Sequence, residues 1–266
     1  MAARLRDGAP PGAQAGELEA GQVRAMFDRI AGIYDLMNTA MTAGLHHRWR
    51  ARAVDLARVG AGSRVLDVAT GTGDLAIELS RRVRPSGEVL GSDFSEGMLD
   101  RARAKAGTTA GIGFEWADAM ALPYPDRSFD AATVGFGARN FEDLGRGLAE
   151  MARVVRPGGR VVVLEITTPT RAPLALFYGL WFDRIVPALG AVAGRVAAFA
   201  GRLRSAPARS GIADAYTYLP NSVKRFPGPA ALAEELSRAG LTEIEYILTA
   251  GGIVAIHAGT VPAEAE

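Results

Sequence analysis

The stretch VLDVATGTGDLAIEL, residues 65–79, decides how the chain is read. An apolar, strand-like run meets Gly71-Thr72-Gly73 and passes into a pattern with helical spacing. Gly71, Gly73 and Ala76 fit the G-x-G-x-x-G/A turn that opens a dinucleotide site at the end of a first β-strand. The same turn fits a nucleoside ligand that carries no pyrophosphate.

On either side of this turn the sequence alternates strand and helix. Strand patterns cover residues 63–69, 87–94, 112–119, 129–136 and 160–167, with helical patterns at 73–83, 95–106 and 144–155 between them. Ser95 is an N-cap for the second of these helices, with Met98 and Leu99 on its inner face. Arg156-Pro157-Gly158-Gly159 forms a turn before the fifth strand. Residues 228–240 form a further helix, and Gly251-Gly252 joins two strand-like runs in a closing antiparallel hairpin. Strict alternation predicts an α/β fold: a doubly wound, mostly parallel, seven-stranded sheet with helices on both faces. Ligands in such sheets bind at the carboxyl ends of the strands.

The flanking regions are helical or irregular. Residues 1–16, rich in Gly, Ala and Pro, are expected to be a disordered tail. Residues 17–60 are expected to form a helical cap broken at Asn38 and Gly44. Residues 168–215 interrupt the alternation with an apolar helical insertion kinked at Pro187, read as a lid. The whole of 17–266 is expected to be one domain.

Composition removes several classes of function. The 266 residues are 48% hydrophobic and 22% charged with net charge +1, so no strong field draws nucleic acid. There is no cysteine, and His46, His47 and His257 do not have a zinc spacing, so no metal is expected. The chain lacks an apolar signal core, and no apolar run reaches the ~20 residues of a membrane span. A soluble, cytoplasmic protein is the expectation.

The cofactor is read from the strand tips. Asp93 lies about 20 residues past the glycines, where an acid accepts from ribose hydroxyls in either cofactor class. A nicotinamide enzyme of the short-chain type would show Tyr four residues before Lys. Arg101 precedes Lys105 and Pro220 precedes Lys224, and these are the only two lysines. S-adenosylmethionine explains more. Gly71 and Gly73, with Thr72 between them, allow close backbone approach. Asp67 fixes the loop or meets the ammonium group. Asp93 takes the ribose diol, Asp118 the adenine amino group and the Ala119 N–H a ring nitrogen, with Phe94 and Met98 as apolar wall. An Asp that ends a strand is often only a turn residue; here several converge at consecutive tips.

At this point the chain resembles the class I S-adenosylmethionine-dependent methyltransferases. Within them, YDLMNTAMTAGLHHRW (34–49), RVVRPGGRVVVLEIT (153–167), FGARN (136–140) and YTYLPNSVKRFP (216–227) resemble the signatures of the UbiE/MenG family, the C-methyltransferases of ubiquinone and menaquinone biosynthesis. Thr42 stands where that family usually has Ser. Gly135 also stands in a Ser position, which leaves only backbone contact to the cofactor there. Residues 191–211 form a longer segment than usual. The resemblance implies methylation of a polyprenyl quinol ring, demethylmenaquinol before a benzoquinol. The alternatives are a methyltransferase for another phenolic or sterol-like molecule and a non-catalytic S-adenosylmethionine-binding assembly protein. The resemblance makes Tyr34, Asp35, Asn38, His46, Arg139 and Asn140 ring-facing candidates. Arg139 is read as a cation for a developing phenolate, with Glu165 either orienting it or capping the lid helix. The base stays open between Asp35, the His46–His47 pair and a water held by Tyr34. Contact of the apolar segment 174–203 with the inner membrane surface, and a homodimer, are left open.

Overall fold

In a computed structural model of the chain, the described residues are 20–31, 34–42, 44–169, 218 and 220–263. The expected tail, almost all of the expected lid, Pro187 and the 191–211 segment lie outside them.

Seven strands form one sheet in the order β3-β2-β1-β4-β5-β7-β6. The strands are β1 (Arg64–Val68), β2 (Glu88–Asp93), β3 (Ile112–Trp116), β4 (Phe129–Gly135), β5 (Val155–Ile166), β6 (Thr242–Thr249) and β7 (Val254–Thr260). All pairings from β3 through β5 are parallel, and β7 pairs antiparallel to both β5 and β6. The predicted mostly parallel sheet with its antiparallel closing hairpin is therefore the observed fold. The β6–β7 turn is made by Ala250–Gly252, all three at positive φ.

Three helices precede the sheet: α1 (Ala20–Ile30), α2 (Tyr34–Thr42) and α3 (Leu45–Leu56). The break at Gly44 is observed, with φ +76. Asn38 breaks nothing. It lies within α2, where its carbonyl accepts from the Thr42 hydroxyl (2.7 Å), so the expected break there is corrected. Between the strands run α4 (Asp74–Val83), α5 (Glu96–Ala106) and α6 (Leu144–Val154), and α7 (Pro229–Arg238) precedes β6.

β5 begins five residues earlier than read. Val155 pairs with Phe129 and Arg160 with Ala131, so the 156–159 turn is a bulge inside the strand.

Strand alternation divides the core. Val65, Ala131, Val162 and Leu164 face Leu75, Ala76 and Leu79 of α4 and Ala53 and Val54 of α3. Leu66, Ala132, Val161 and Val163 face Leu148 and Met151 of α6 and Leu232 and Leu236 of α7. Neighbouring residues on a strand thus serve opposite layers, as a two-fold side-chain period requires. A third cluster joins Met26 and Ile30 of α1 to Met98 of α5 and to Tyr218. It seats the N-terminal helices over the carboxyl ends of β1, β2 and β4.

Candidate functional site

The strand tips and the cap helices enclose a cavity of about 260 Å³. Its wall includes Asp67, Gly71, Thr72, Asp93, Phe94, Met98, Asp118, Ala119, Gly135, Asn140 and Tyr34. All of these are cofactor or ring-facing candidates of the sequence. The fold brings them to one place because parallel strands end on the same edge.

The glycine turn is built by conformation and packing. Gly71 has φ +56, and its N–H donates to Asp93 Oδ2 (2.9 Å). Gly73 has φ +83 and starts α4; a Cβ there would sit 3.0 Å from Ala102 Cβ and the Phe114 ring. Gly73 does not line the cavity. Its place is to let the turn and α4 pack on α5 and β3, rather than to approach a ligand.

Two carboxylates on the wall are almost fully buried. Asp67 accepts from the hydroxyls of Thr70 (2.6 Å) and Thr133 (2.7 Å), which fixes the turn to β4. Burial nevertheless outweighs these bonds and pushes its pKa up to about 6. Asp93 accepts from the backbone N–H of Ser95 and of Gly71, each at 2.9 Å, and burial raises it likewise to about 6. Asp118 Oδ1 accepts from the Met120 N–H (2.9 Å), an Asx turn that holds the 117–120 loop on the wall. The strand pattern read over 112–119 ends at Trp116 in the structure, and this loop replaces its last residues.

Sequence reasoning did not single out Arg50 and Asp74, which both line the cavity. Arg50 is 7% exposed, bridges to Asp74 (3.2 Å) and lies over the Phe136 ring, 5.6 Å from its centroid. Burial works against the charge of Asp74, but Arg50 and Lys105 outweigh it and hold its pKa below the ordinary value. The His46–Arg50 spacing of four residues and the acid right after Gly73 were the available signals.

His46 stands behind Arg50 and does not line the cavity. An Arg50 N–H donates to His46 Nδ1, so the hydrogen-bond network assigns the ring proton to Nε2, which donates to Thr39 Oγ1 (3.2 Å). Burial, with Arg50 and His47 beside it, lowers its pKa to about 4. With both ring nitrogens engaged, His46 holds Arg50 in place rather than reaching a ligand. Asp35 is engaged in the same way. Its carboxylate accepts from Thr72 Oγ1 (2.5 Å) and pairs with Lys105 (2.6 Å), and Lys105 also pairs with Asp74 (2.7 Å). Asp35 therefore ties α2 to the glycine turn and does not line the cavity.

Arg139 and Asn140 lie on a single 3-10 turn, Ala138–Asn140, just past β4. Arg139 is shielded from solvent but does not line the cavity. Its Nη1 donates to Glu165 Oε1 (2.7 Å) and to the Phe136 carbonyl (2.6 Å). Burial opposes its charge, but the Glu165 carboxylate outweighs that and raises its pKa. This contact fits the role of Glu165 in orienting Arg139; its other role, capping the lid helix, concerns residues outside the described ones. Asn140 does line the cavity, and its Oδ1 accepts from the Tyr218 hydroxyl (3.0 Å).

Residues 15–261 match the ubiE/COQ5 methyltransferase family. The chain belongs to that family. It is 45% identical to the demethylmenaquinone methyltransferase of Thermus thermophilus, over 89% of this chain and 100% of that one. Identity to the demethylmenaquinone methyltransferase of Deinococcus radiodurans is 46%, covering 86% of this chain and 88% of that one. It is 36% identical to the ubiquinone/menaquinone biosynthesis C-methyltransferase UbiE of Saccharophagus degradans, over 92% and 93% of the two chains. Among solved structures, an S-adenosylmethionine-dependent methyltransferase from Thermotoga maritima superposes with TM-score 0.57 at 18% identity, covering 89% of this chain and 99% of that one. The [4+2]-cyclase SpnF superposes with TM-score 0.59 at 20% identity, over 92% and 96%. These two likenesses carry the class I methyltransferase fold and nothing about the reaction, which within this fold is set by the site. No helix among the described residues is long and apolar enough to cross a membrane.

Proposed function

We propose that this ubiE/COQ5-family chain is an S-adenosylmethionine-dependent C-methyltransferase whose substrate is a polyprenyl quinol, with demethylmenaquinol preferred over a benzoquinol precursor. The observation that carries the reading is the 45% identity to the Thermus thermophilus demethylmenaquinone methyltransferase across 89% of this chain.

The wall residues fit the methyl donor. A zwitterionic aminoacyl group needs an anion for its ammonium and a cation for its carboxylate. Asp67 and Arg50 supply these on one wall, and the raised pKa of Asp67 marks a buried carboxylate that gains from a cationic neighbour. Asp93 Oδ1 accepts from the Ser95 N–H and Oδ2 from the Gly71 N–H, with the Phe94 N–H also acting on the carboxylate, and its two oxygens together retain lone-pair capacity for a ribose hydroxyl. Phe94, Met98 and Trp116 give apolar surface for a purine, with Asp118 and Ala119 beside it. Gly135 brings backbone onto the wall, where a Cβ would meet Leu75 at 3.0 Å.

When bound, S-adenosylmethionine supplies a sulfonium-activated methyl group to which a nucleophilic carbon bonds as the sulfur–carbon bond breaks. A quinol ring carbon is weakly nucleophilic until the neighbouring phenol gives up its proton and pushes electron density onto it. After bond formation that carbon loses its own proton and the ring regains aromaticity. The chain's part is to align the ring, exclude water and support the phenolate charge. The cap residues Phe27 and Tyr34 line the cavity and cover it from the α1–α2 side. His46 and Asp35, committed to Arg50 and Lys105, hold the cap. His47 is exposed and, like His46 and Asp35, does not line the cavity, whereas Tyr34 does, which supports a water beside Tyr34 among the bases considered.

Turnover tests the reading. Reduced demethylmenaquinone and a reduced benzoquinone precursor of equal tail length are supplied with S-adenosylmethionine. The expected result is methylation of both types or of the naphthoquinol alone, with higher kcat/KM for the naphthoquinol. No methylation of either would overturn it.

A further inference from the structure

Asn140 and Tyr218 meet across the edge of the cavity, and neither the glycine turn nor the cap needs their contact. We infer that Tyr218 is a positioning residue: it turns the Asn140 side-chain amide so that its N–H donors face the cavity and stabilise the charge on the quinol oxygen beside the carbon being methylated. This rests on the quinol reading above.

Asn140 sits just past the end of β4, where ligands of such sheets bind, and lines the cavity. A planar amide has an acceptor end and a donor end. Tyr218 donates its hydroxyl proton to Oδ1 at 3.0 Å, so the acceptor end is taken. The opposite orientation would aim Oδ1 at a developing phenolate, two negative oxygens facing each other. An N–H directed at the place where charge grows is the arrangement that lowers a barrier.

The neighbouring cation does not fill this place. Arg139 is neutralised by Glu165, spends Nη1 on Glu165 and on the Phe136 carbonyl, and does not line the cavity. Tyr218 does not line it either, so it reaches the ring only through Asn140. Its aim is set by packing. The ring is 8% exposed and belongs to the cluster of Met26 and Ile30 from α1 and Met98 from α5. Burial raises the pKa of its hydroxyl, against the opposing field of Arg139, so the proton that Asn140 accepts is retained.

The test is a double-mutant cycle on the full chain with S-adenosylmethionine and a short-tailed demethylnaphthoquinol. Asn140→Ala is expected to lower kcat about a hundredfold, the scale of losing one such donor. Tyr218→Phe is expected to lower kcat about tenfold. The double variant should fall no further than Asn140→Ala alone, because a residue acting through another has nothing left to position. Affinity for S-adenosylmethionine, measured by calorimetry, should stay within about twofold in all three. A Tyr218→Phe loss of equal size in both backgrounds would make the tyrosine merely structural and overturn the inference. So would wild-type kcat in Asn140→Ala. If that variant does not fold, Asn140→Asp keeps the acceptor for Tyr218 and replaces the donors with an oxygen. It should lose at least as much kcat, and full activity in it would overturn the inference. These failures occur in an enzyme whose wild type turns over; a wild type that methylates no quinol overturns the functional reading instead.

Discussion

Asp67 concentrates the electrostatics of the site. Its pKa of about 6 lies above the 3.8 of a free carboxyl, so between those values the folded chain holds a proton that the unfolded chain has lost. Its contribution to stability is therefore greatest at low pH and is lost as pH rises through about 6; Asp93 behaves the same way. His46 has the opposite sign. Its pKa falls from 6.5 to about 4, so its contribution is present above 6.5 and is lost as pH falls toward 4. A bound ammonium group favours the ionised form of Asp67. Affinity for S-adenosylmethionine should accordingly be greatest near pH 7 and weaken as pH drops through about 6, read by calorimetry across that range. A pH-independent affinity would contradict the ammonium assignment. Glu165 gives a second residue-scale prediction. Glu165→Gln leaves the Arg139 charge buried without its counter-ion, which typically costs about 3–5 kcal/mol. Chemical denaturation should show that loss, and a loss below about 1 kcal/mol would mean that the pair is not a buried ion pair in solution.

At the scale of elements, the cap and the sheet are joined by a small set of charges. Lys105 of α5 pairs with Asp35 of α2 and Asp74 of α4 and donates to Thr72 (3.0 Å), and Arg50 of α3 pairs with the same Asp74. The Lys105–Asp35 tie is partly exposed, so Lys105→Met is expected to cost only about 1 kcal/mol of stability. Hydrogen exchange should speed up in α2 while the β1 and β4 amides stay protected; unchanged exchange in α2 would show that packing alone holds it. The elements themselves were legible in the sequence. Alternating apolar runs and helical spacing placed every strand, because a core with helices on both faces demands that pattern. Asn38 misled because an amide side chain often ends a helix, whereas here the helix runs on past it. The carboxylates at the strand tips were also legible, since parallel strands must end together. Arg50, Asp74 and Lys105 were not. The His46–Arg50 spacing and the acid after Gly73 mark two of them, but their meeting depends on how α3 and α5 dock against the glycine turn. Lys105 in particular reads in the sequence as no more than one of two lysines in an arginine-rich chain.

For the whole molecule, the sheet order puts β1 and β4 side by side at the centre, and the cavity opens at their carboxyl ends. The same fold carries methyltransferases and a cyclase, so architecture alone leaves the reaction open. What narrows it is the use we propose for the wall: Asp67 and Arg50 for an aminoacyl group, Asp93 for a ribose, apolar surface for a purine, and Asn140 for the quinol oxygen. On this reading the wall holds the donor so that its methyl group passes to a ring carbon. This transfer is tested most directly by incubating the chain with S-adenosylmethionine labelled with carbon-13 in its methyl group and with reduced demethylmenaquinone, then locating the label by NMR. The label is expected on the ring carbon next to a quinol oxygen, with one label per product. Label on a quinol oxygen, or no labelled product, would contradict it.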